Sequence, residues 1–205
     1  MKISVLIIDD HAILRMGLAS LLNAKGDIDV IGDAANGQTG IQKAVKLKPD
    51  VVVMDLMMPG MDGTETTAQL IARAPDAKIL ILTTFGTSDG ITHAIKAGAK
   101  GAIMKNCDFG ELLTAIRTIA KGEQYISPEI VRIISNDPPV APLSPRQTEI
   151  LQSIIRGLSN PDIAKQLGIS LDMVKEHTEA LFQKLGVANR PEAVAIALRK
   201  HLLKI

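Results

Sequence analysis

Ile3-Ser4-Val5-Leu6-Ile7-Ile8-Asp9-Asp10 is the stretch that decides the fold: an almost unbroken apolar run that stops at two carboxylates. Such a run reads as a strand of a parallel sheet, buried on both faces, with acids at its carboxyl end. Open α/β sheets bind their ligands at that edge. The same pattern returns in Val51-Val52-Val53-Met54-Asp55, in Ile79-Leu80-Ile81-Leu82-Thr83-Thr84, and more briefly in Ala102-Ile103-Met104-Lys105. Three acids at strand ends form a hard-oxygen cage suited to Mg²⁺, an ion held by few carboxylates together with phosphate and water. Acids, a hydroxyl and an ammonium at four strand ends describe a site that handles a phosphoryl group.

Helical segments fall between these runs. Ile13, Leu14, Gly17, Leu18, Leu21 and Leu22 fit one helical face, Ile41, Ala44, Val45 and Leu47 a second, and Leu70 and Ile71 sit in a third. A fourth, with Ile91, Ala94 and Ile95, stops at Gly98, and a fifth opens on the capping-box pattern Asp108-Phe109-Gly110-Glu111 and ends near Gly122. Alternation through residue 122 predicts an α/β domain with a doubly wound five-stranded parallel sheet. Over residues 123–142 the pattern weakens. Ile126, Ile130, Val131 and Ile134 suit a short helix, and Asn136-Asp137-Pro138-Pro139-Val140-Ala141-Pro142 reads as linker. Residues 143–205 are a small all-α domain. Its helices start at Ser144-Pro145-Arg146-Gln147, Asn160-Pro161, Ser170 and Asn189-Arg190-Pro191-Glu192, and three of them stop at Gly157, Gly168 and Gly186.

The 205 residues are 46% hydrophobic, enough for packed cores, yet they contain no Trp, one Tyr and three Phe, so aliphatic and Met side chains must fill the interior. One cysteine, Cys107, excludes an internal disulfide. No apolar stretch reaches spanning length, and the expectation is a cytoplasmic protein without membrane partners. The net charge of +1 hides an asymmetry. Residues 143–205 hold nine Lys/Arg and six Asp/Glu, leaving fourteen and sixteen for residues 1–142, or +3 against −2. A modest basic excess in the second domain is compatible with nucleic-acid binding.

Asp55-Leu56-Met57-Met58-Pro59-Gly60-Met61-Asp62-Gly63 resembles the D-x-x-M-P-x-M-D-G signature of response-regulator receiver domains. The resemblance covers about 120 residues and includes the acidic pair, the fourth-strand Thr and the fifth-strand Lys in order. It implies a flavodoxin-like fold in which Asp55 is the phosphoacceptor. Asp10 then holds Mg²⁺ directly, Asp9 largely through water, and the Met57 backbone carbonyl adds a ligand. Thr83 hydrogen-bonds the phosphoryl oxygen and Lys105 pairs with it as a point charge. Two departures stand out. Ala102 occupies the place, three before the Lys, where receivers often carry Tyr or Phe, so switching by rotation of an aromatic is unavailable. Met57 and Phe85, two residues after the Asp and the Thr, flank the phosphoryl position. Neither can orient an attacking water, and a long-lived aspartyl phosphate is expected.

Residues 143–193 resemble the helix-turn-helix of the NarL/FixJ (LuxR-type) regulators. The matching pieces are Leu143-Ser144-Pro145-Arg146-Gln147, Gly157-Leu158-Ser159-Asn160, Ile163-Ala164, Leu167-Gly168, Val174-Lys175-x-His177 and Lys184-Leu185-Gly186-Val187. Asp9-Asp10-His11 followed by Arg15-x-Gly17-Leu18 is similar to the receivers of the same subfamily. Val174, Thr178, Leu181 and Leu185 recur at helical spacing and face the core. The resemblance puts Lys175, Glu176 and Glu179 of a recognition helix towards the bases, where Lys donates to guanine or phosphate and Glu accepts from cytosine. His177 contacts backbone or packs locally, and Arg156, Lys165, Lys184 and Arg190 are phosphate-contact candidates. His93, His201 and Cys107 read as ordinary side chains, and the Met-rich residues 54–61 as packing.

The resulting reading is a receiver at 1–122, a linker with a short helix at 123–142 and a helix-turn-helix domain at 143–205. Phosphorylation of Asp55 by a sensor histidine kinase, with Mg²⁺, controls dimerisation and sequence-specific binding to promoter DNA, with RNA polymerase as a further partner. The competing class is a phosphorylation-independent DNA-binding or protein-interaction regulator whose receiver is an adaptor. A phosphohydrolase would need a water-activating group and a substrate cap, and neither is found.

Overall fold

The computed structural model describes residues 2–84, 88–200 and 202–203. The chain divides into two compact units, Met1–Asp137 and Pro138–Ile205.

In the first unit the strands are β1 (Ile3–Ile8), β2 (Ile28–Ala34), β3 (Val51–Asp55), β4 (Ile79–Thr83), β5 (Gly101–Met104) and β6 (Tyr125–Ile126). They form one sheet in the order β2-β1-β3-β4-β5-β6, and every pairing is parallel. The helices between them are α1 (Ala12–Asn23), α2 (Gly37–Leu47), α3 (Gly63–Arg73), α4 (Ser88–Lys96), α5 (Phe109–Ala120) and α6 (Pro128–Asn136). Because strand side chains alternate faces, the continuous apolar runs feed two cores at once. Leu6, Ile8, Val52, Met54, Ile79, Ile81 and Ala102 pack against Ile41 of α2, Leu70 of α3, Ile91 of α4 and Ile130 of α6. Val5, Ile7, Val51, Val53, Leu80, Leu82 and Ile103 pack against Leu18 and Leu22 of α1 and Leu112 to Ile119 of α5. The order reverses between β1 and β3, which sets the carboxyl ends of those strands at the switch point where ligands of such sheets bind.

The sheet has six strands, where the sequence pattern predicts five. β6 is only two residues long, and Tyr125 and Ile126 pair with Gly101 and Ala102. The expected linker is also shorter than 123–142, because α6 is built into the first unit. Ser127 caps it, with its side chain accepting from Ile130 N–H at 3.2 Å, and its own N–H donates to Ala102 O at 3.0 Å. Ile130 is fully buried, and Ile133 and Ile134 lean on the same core. The first unit ends at Asp137 and the second opens at Pro138, so residues 138–142 already belong to the second unit.

One helical face is narrower than its periodicity predicts. In α1 only Leu18 and Leu22 are buried, whereas Ile13 is 88% and Leu21 52% exposed. Val45 and Leu47 of α2 are also exposed. Each helix covers the sheet with a narrow stripe, so apolar residues one step off that stripe meet solvent.

The second unit contains α7 (Pro145–Ile155), α8 (Asn160–Leu167), α9 (Leu171–Leu185) and α10 (Arg190–Arg199). Ser144 and Gln147 close a capping box, as do Ser159 and Asp162, so Ser159 rather than Asn160 caps α8. Ser170 and Asn189 cap the next two helices. Gly168 ends α8 in the left-handed region, at φ 63°, and three residues separate α8 from α9. Ile150, Leu151 and Ile154 of α7, Ile163 of α8, Val174, Leu181 and Leu185 of α9, and Ala193 and Ala197 of α10 form the core. Thr178 is buried with them, its hydroxyl donating to Val174 O at 2.7 Å.

Candidate phosphoryl site and nucleic-acid interface

Asp9 and Asp10 follow β1, Asp55 ends β3, Thr83 ends β4 and Lys105 follows β5, so parallel pairing gathers all five at one edge. Asp9 and Asp55 are almost fully buried. Lys105 Nζ lies between them, 2.6 Å from Asp9 Oδ2 and 2.8 Å from Asp55 Oδ2. Its backbone N–H donates to Thr83 O at 2.7 Å, tying the ends of β4 and β5 together. Burial pushes the Asp55 carboxyl above the usual carboxylate range, and the Lys105 ammonium offsets only part of that. For Lys105 burial alone would lower the pKa. Its bonds to Asp55 and Asp9 outweigh burial and hold the proton more firmly than usual.

Asp55 Oδ1 accepts the Met57 N–H at 3.2 Å. The loop that follows is pinned by Gly63, whose N–H donates to Leu56 O at 2.8 Å. A Cβ on Gly63 would stand 2.4 Å from Asp55 O and 2.8 Å from Leu56 Cα, both backbone atoms that cannot swing aside. The glycine of the motif therefore lets α3 start directly against Asp55. Arg15 braces the other side, donating to Asp9 O at 2.6 Å and to Asp33 Oδ2 at 2.8 Å.

Two buried polar atoms at this edge, Asp10 Oδ1 and Thr83 Oγ1, have no hydrogen-bond partner among the described residues. Burying such groups without a hydrogen bond is costly, and a cation would suit the carboxylate oxygen as an acceptor oxygen would suit the hydroxyl. The three carboxylates, one of which keeps an oxygen without a hydrogen bond, fit a hard divalent ion. The structure brings Asp9, Asp10, Asp55, Thr83 and Lys105 together as expected from sequence. Met57 is 46% exposed beside them. Phe85, like His201, lies outside the described residues. Ala102 is fully buried on the α4 and α6 side of the sheet. Sequence reasoning did not anticipate His11 at this site, or Lys105 bridging two acids.

Cys107 sits two residues beyond Lys105. Burial, and then the negative charges of Glu111 and Asp108, push its thiol up to about 11. The thiolate is the reactive form, so at pH 8 only about one thiol in a thousand is nucleophilic. Alkylation by iodoacetamide is expected to be slow at pH 8 and to accelerate roughly tenfold per pH unit up to about 11, whereas the unfolded chain levels off near pH 9. Following the mass shift against pH in native buffer and in urea checks this.

In the second unit, Lys175, Glu176, Glu179 and Gln183 are exposed along α9, while Val174, Thr178, Leu181 and Leu185 face inward. Lys175 pairs with Asp172 at 3.2 Å, but both are well exposed, and such a pair is worth under about 1 kcal/mol. His177 is half-buried. Two of the phosphate-contact candidates also make hydrogen bonds within the domain. Lys184 Nζ donates to Pro142 O at 3.0 Å and to Gln147 Oε1 at 2.9 Å, fastening the end of α9 to the cap of α7. Arg190 donates to Leu158 O and, at 3.5 Å, to Asn160 Oδ1, bracing the start of α8. Arg156 and Lys165 remain exposed.

No helix among the described residues is long and apolar enough to cross a membrane. Residues 5–117 match the family described as response regulator receiver domain, and residues 141–197 match the bacterial regulatory proteins of the luxR family. The chain is 40% identical to the transcriptional regulatory protein LiaR of Bacillus subtilis (strain 168), over 98% of this chain and 99% of LiaR. It is 37% identical to the oxygen regulatory protein NreC of Staphylococcus carnosus (strain TM300), over 97% and 98%. Among solved structures, the response regulator ChrA of a heme-sensing two-component system superposes with a TM-score of 0.59 at 37% identity, covering 98% of this chain and 99% of ChrA. With both halves matched in order and relatives aligned end to end, the chain belongs to the response regulators that join a receiver domain to a LuxR-type helix-turn-helix, and it is a transcription factor rather than an enzyme.

Proposed function

We propose that Asp55 is the phosphoacceptor of a cytoplasmic two-component system, charged by a sensor histidine kinase, and that the phosphorylated receiver favours a dimer that binds promoter DNA through α9. The observation that carries this reading is the pairing of Lys105 with both Asp9 and Asp55, beside a Thr83 hydroxyl and an Asp10 oxygen that make no hydrogen bond among the described residues. In phosphoryl transfer an Asp55 oxygen bonds to phosphorus while the phosphorus–nitrogen bond of a phosphohistidine breaks, and the leaving imidazole takes up a proton. Lys105 moves from the Asp55 carboxylate to the new phosphoryl oxygens, and Thr83 donates its hydroxyl to one of them. Asp9, Asp10, Asp55 and the Met57 carbonyl would hold Mg²⁺, which supplies neutralisation of charge on the donor.

On α9, Lys175, Glu176 and Glu179 are the positions that would read bases, with Arg156 and Lys165 as phosphate contacts. The two glutamates weaken nonspecific attraction to DNA, so coupling of two half-sites through a dimer is needed for tight binding. RNA polymerase is the further partner this reading implies at a promoter.

A small phosphoanhydride donor tests the receiver. Acetyl phosphate with Mg²⁺ is expected to add one phosphoryl group to the wild type and none to Asp55→Ala. The label is expected to persist for many minutes, because Met57 at the mouth cannot orient water; loss within seconds would contradict the role given to Met57. Steady turnover of the donor would mark a hydrolase, and no reaction an adaptor.

A further inference from the structure

The helices α7, α8 and α10 of the second unit begin in the same way. The cap side chain accepts from the N–H three residues on, and that third residue turns an amide or carboxylate back towards the cap. Gln147 does so in α7, Asp162 in α8 and Glu192 in α10. α9 keeps only the first half of this pattern, with Ser170 Oγ accepting the Met173 N–H at 3.2 Å. Its third residue is Met173, whose thioether cannot return a bond to the cap, so the reciprocal half of a capping box is given up. Burial does not recover the loss. Met173 is 45% exposed and stands outside the core that Val174 and Leu181 of the same helix enter.

The place of this side chain suits another contact. α9 is the second helix of the helix-turn-helix pair, and a recognition helix presents its N-terminal residues to base edges in the major groove. Met173 belongs to that first turn, and Glu176 lies one turn further on, where residues three apart have Cβ atoms about 5–6 Å apart. Bases follow one another about every 3.4 Å, so the two side chains reach positions one or two steps apart. Lys175 is a donor for guanine and Glu176 an acceptor for cytosine. Met173 offers an unbranched apolar chain, and the major-groove group that matches it is the C5 methyl of thymine. Its flexible, polarisable thioether can follow that methyl, and the contact removes apolar surface of both from water. The surroundings do not make a protein-docking patch. Asp172, Lys175 and Glu176 are all exposed around Met173, and Leu171, the other exposed apolar residue of this turn, is two positions away on another side of the helix.

We propose that Met173 is a specificity-determining residue of the DNA interface, packing on the C5 methyl of a thymine within two base steps of the base that Glu176 reads. The inference rests on the reading that α9 enters the major groove of promoter DNA.

The test uses the full chain with beryllofluoride and Mg²⁺, and the duplex that the wild type selects most strongly. Each thymine is replaced in turn by deoxyuridine, which lacks only the methyl. The wild type is expected to lose about fourfold in affinity at one thymine of each half-site, the scale of one buried methyl group. Met173→Ala and Met173→Gln bind the thymine and uracil duplexes equally at that position. Both keep the salt dependence of the wild type, because no phosphate contact is removed. Met173→Gln also supplies the missing half of the capping box and so guards against misfolding. A wild type indifferent to uracil at every position, or a methyl effect that persists in both variants, would overturn the proposal and leave DNA binding by α9 intact. Failure of the wild type to retain any DNA would overturn both.

Discussion

Ala102→Phe is expected to destabilise the first unit by about 2–3 kcal/mol, the upper range for overpacking a filled core. Ala102 is fully buried on the face of β5 that α6 covers, with Ile130 in the same cluster. It pairs with Ile126, and its carbonyl accepts the N–H of the α6 cap, Ser127. An aromatic ring there is expected to press on α6. Urea unfolding followed by circular dichroism should show the loss, and hydrogen exchange should show α6 amides exchanging faster than those of α5. Ile130→Ala added to Ala102→Phe should recover part of the stability, since the two side chains compete for one volume. If Ala102→Phe were neutral with α6 protection intact, the packing role given to Ala102 would be wrong. The same packing gives a reason for the missing aromatic: α6 occupies the surface on which such a ring would move. Ala102 is therefore no argument for an adaptor receiver.

Lys105→Ala is expected to slow labelling of Asp55 by acetyl phosphate about 10²-fold, the scale for losing one preorganised charge at a reacting group. It removes the cation shared by two buried acids. Lys105→Arg should recover only part of the rate, because a planar fork replaces a compact ammonium. Stability should fall too, by about 3 kcal/mol near pH 8, since two buried carboxylates are left facing each other. The pH dependence has a definite sign. Burial raises the Asp55 carboxyl, and without Lys105 it rises further. A carboxyl whose folded pKa lies above its unfolded value costs stability as pH rises above the unfolded value, and the cost vanishes once the group is protonated in both states. The deficit of Lys105→Ala should therefore be large at pH 8 and shrink towards pH 4. A deficit independent of pH would show that Lys105 acts through packing alone.

The sheet and its edge were legible because β1, β3 and β4 are buried on both faces and leave runs of apolar residues that stop at functional side chains. Helix starts were legible where a polar side chain caps the backbone, as at Asp108, Ser144, Ser170 and Asn189. β6 was not, since two residues carry no periodicity. The pattern of Ile126, Ile130, Val131 and Ile134 indicated a helix, but Ile126 belongs to β6 and Val131 is exposed, and the pattern could not say that α6 docks on β5 and α4; the nearby prolines favoured a linker. Charge patterns identified basic residues in the second unit, but not that Lys184 and Arg190 also bond to Pro142, Gln147 and Leu158. Nor does the order Asp9-Asp10-His11 reveal that the imidazole turns back onto both acids rather than capping α1. These are long-range or rotameric choices, fixed by what surrounds a residue rather than by its neighbours in the chain.

The most direct measurement is genome-wide DNA selection by wild type and Asp55→Ala, each with and without beryllofluoride and Mg²⁺, with the mass of the protein in solution determined in parallel. Beryllofluoride on an Asp stands in for the aspartyl phosphate. The account predicts that it raises both the dimer fraction and the DNA retained in the wild type alone, and that the retained fragments share a two-part site. Equal retention in all four samples would contradict it and make the receiver an adaptor.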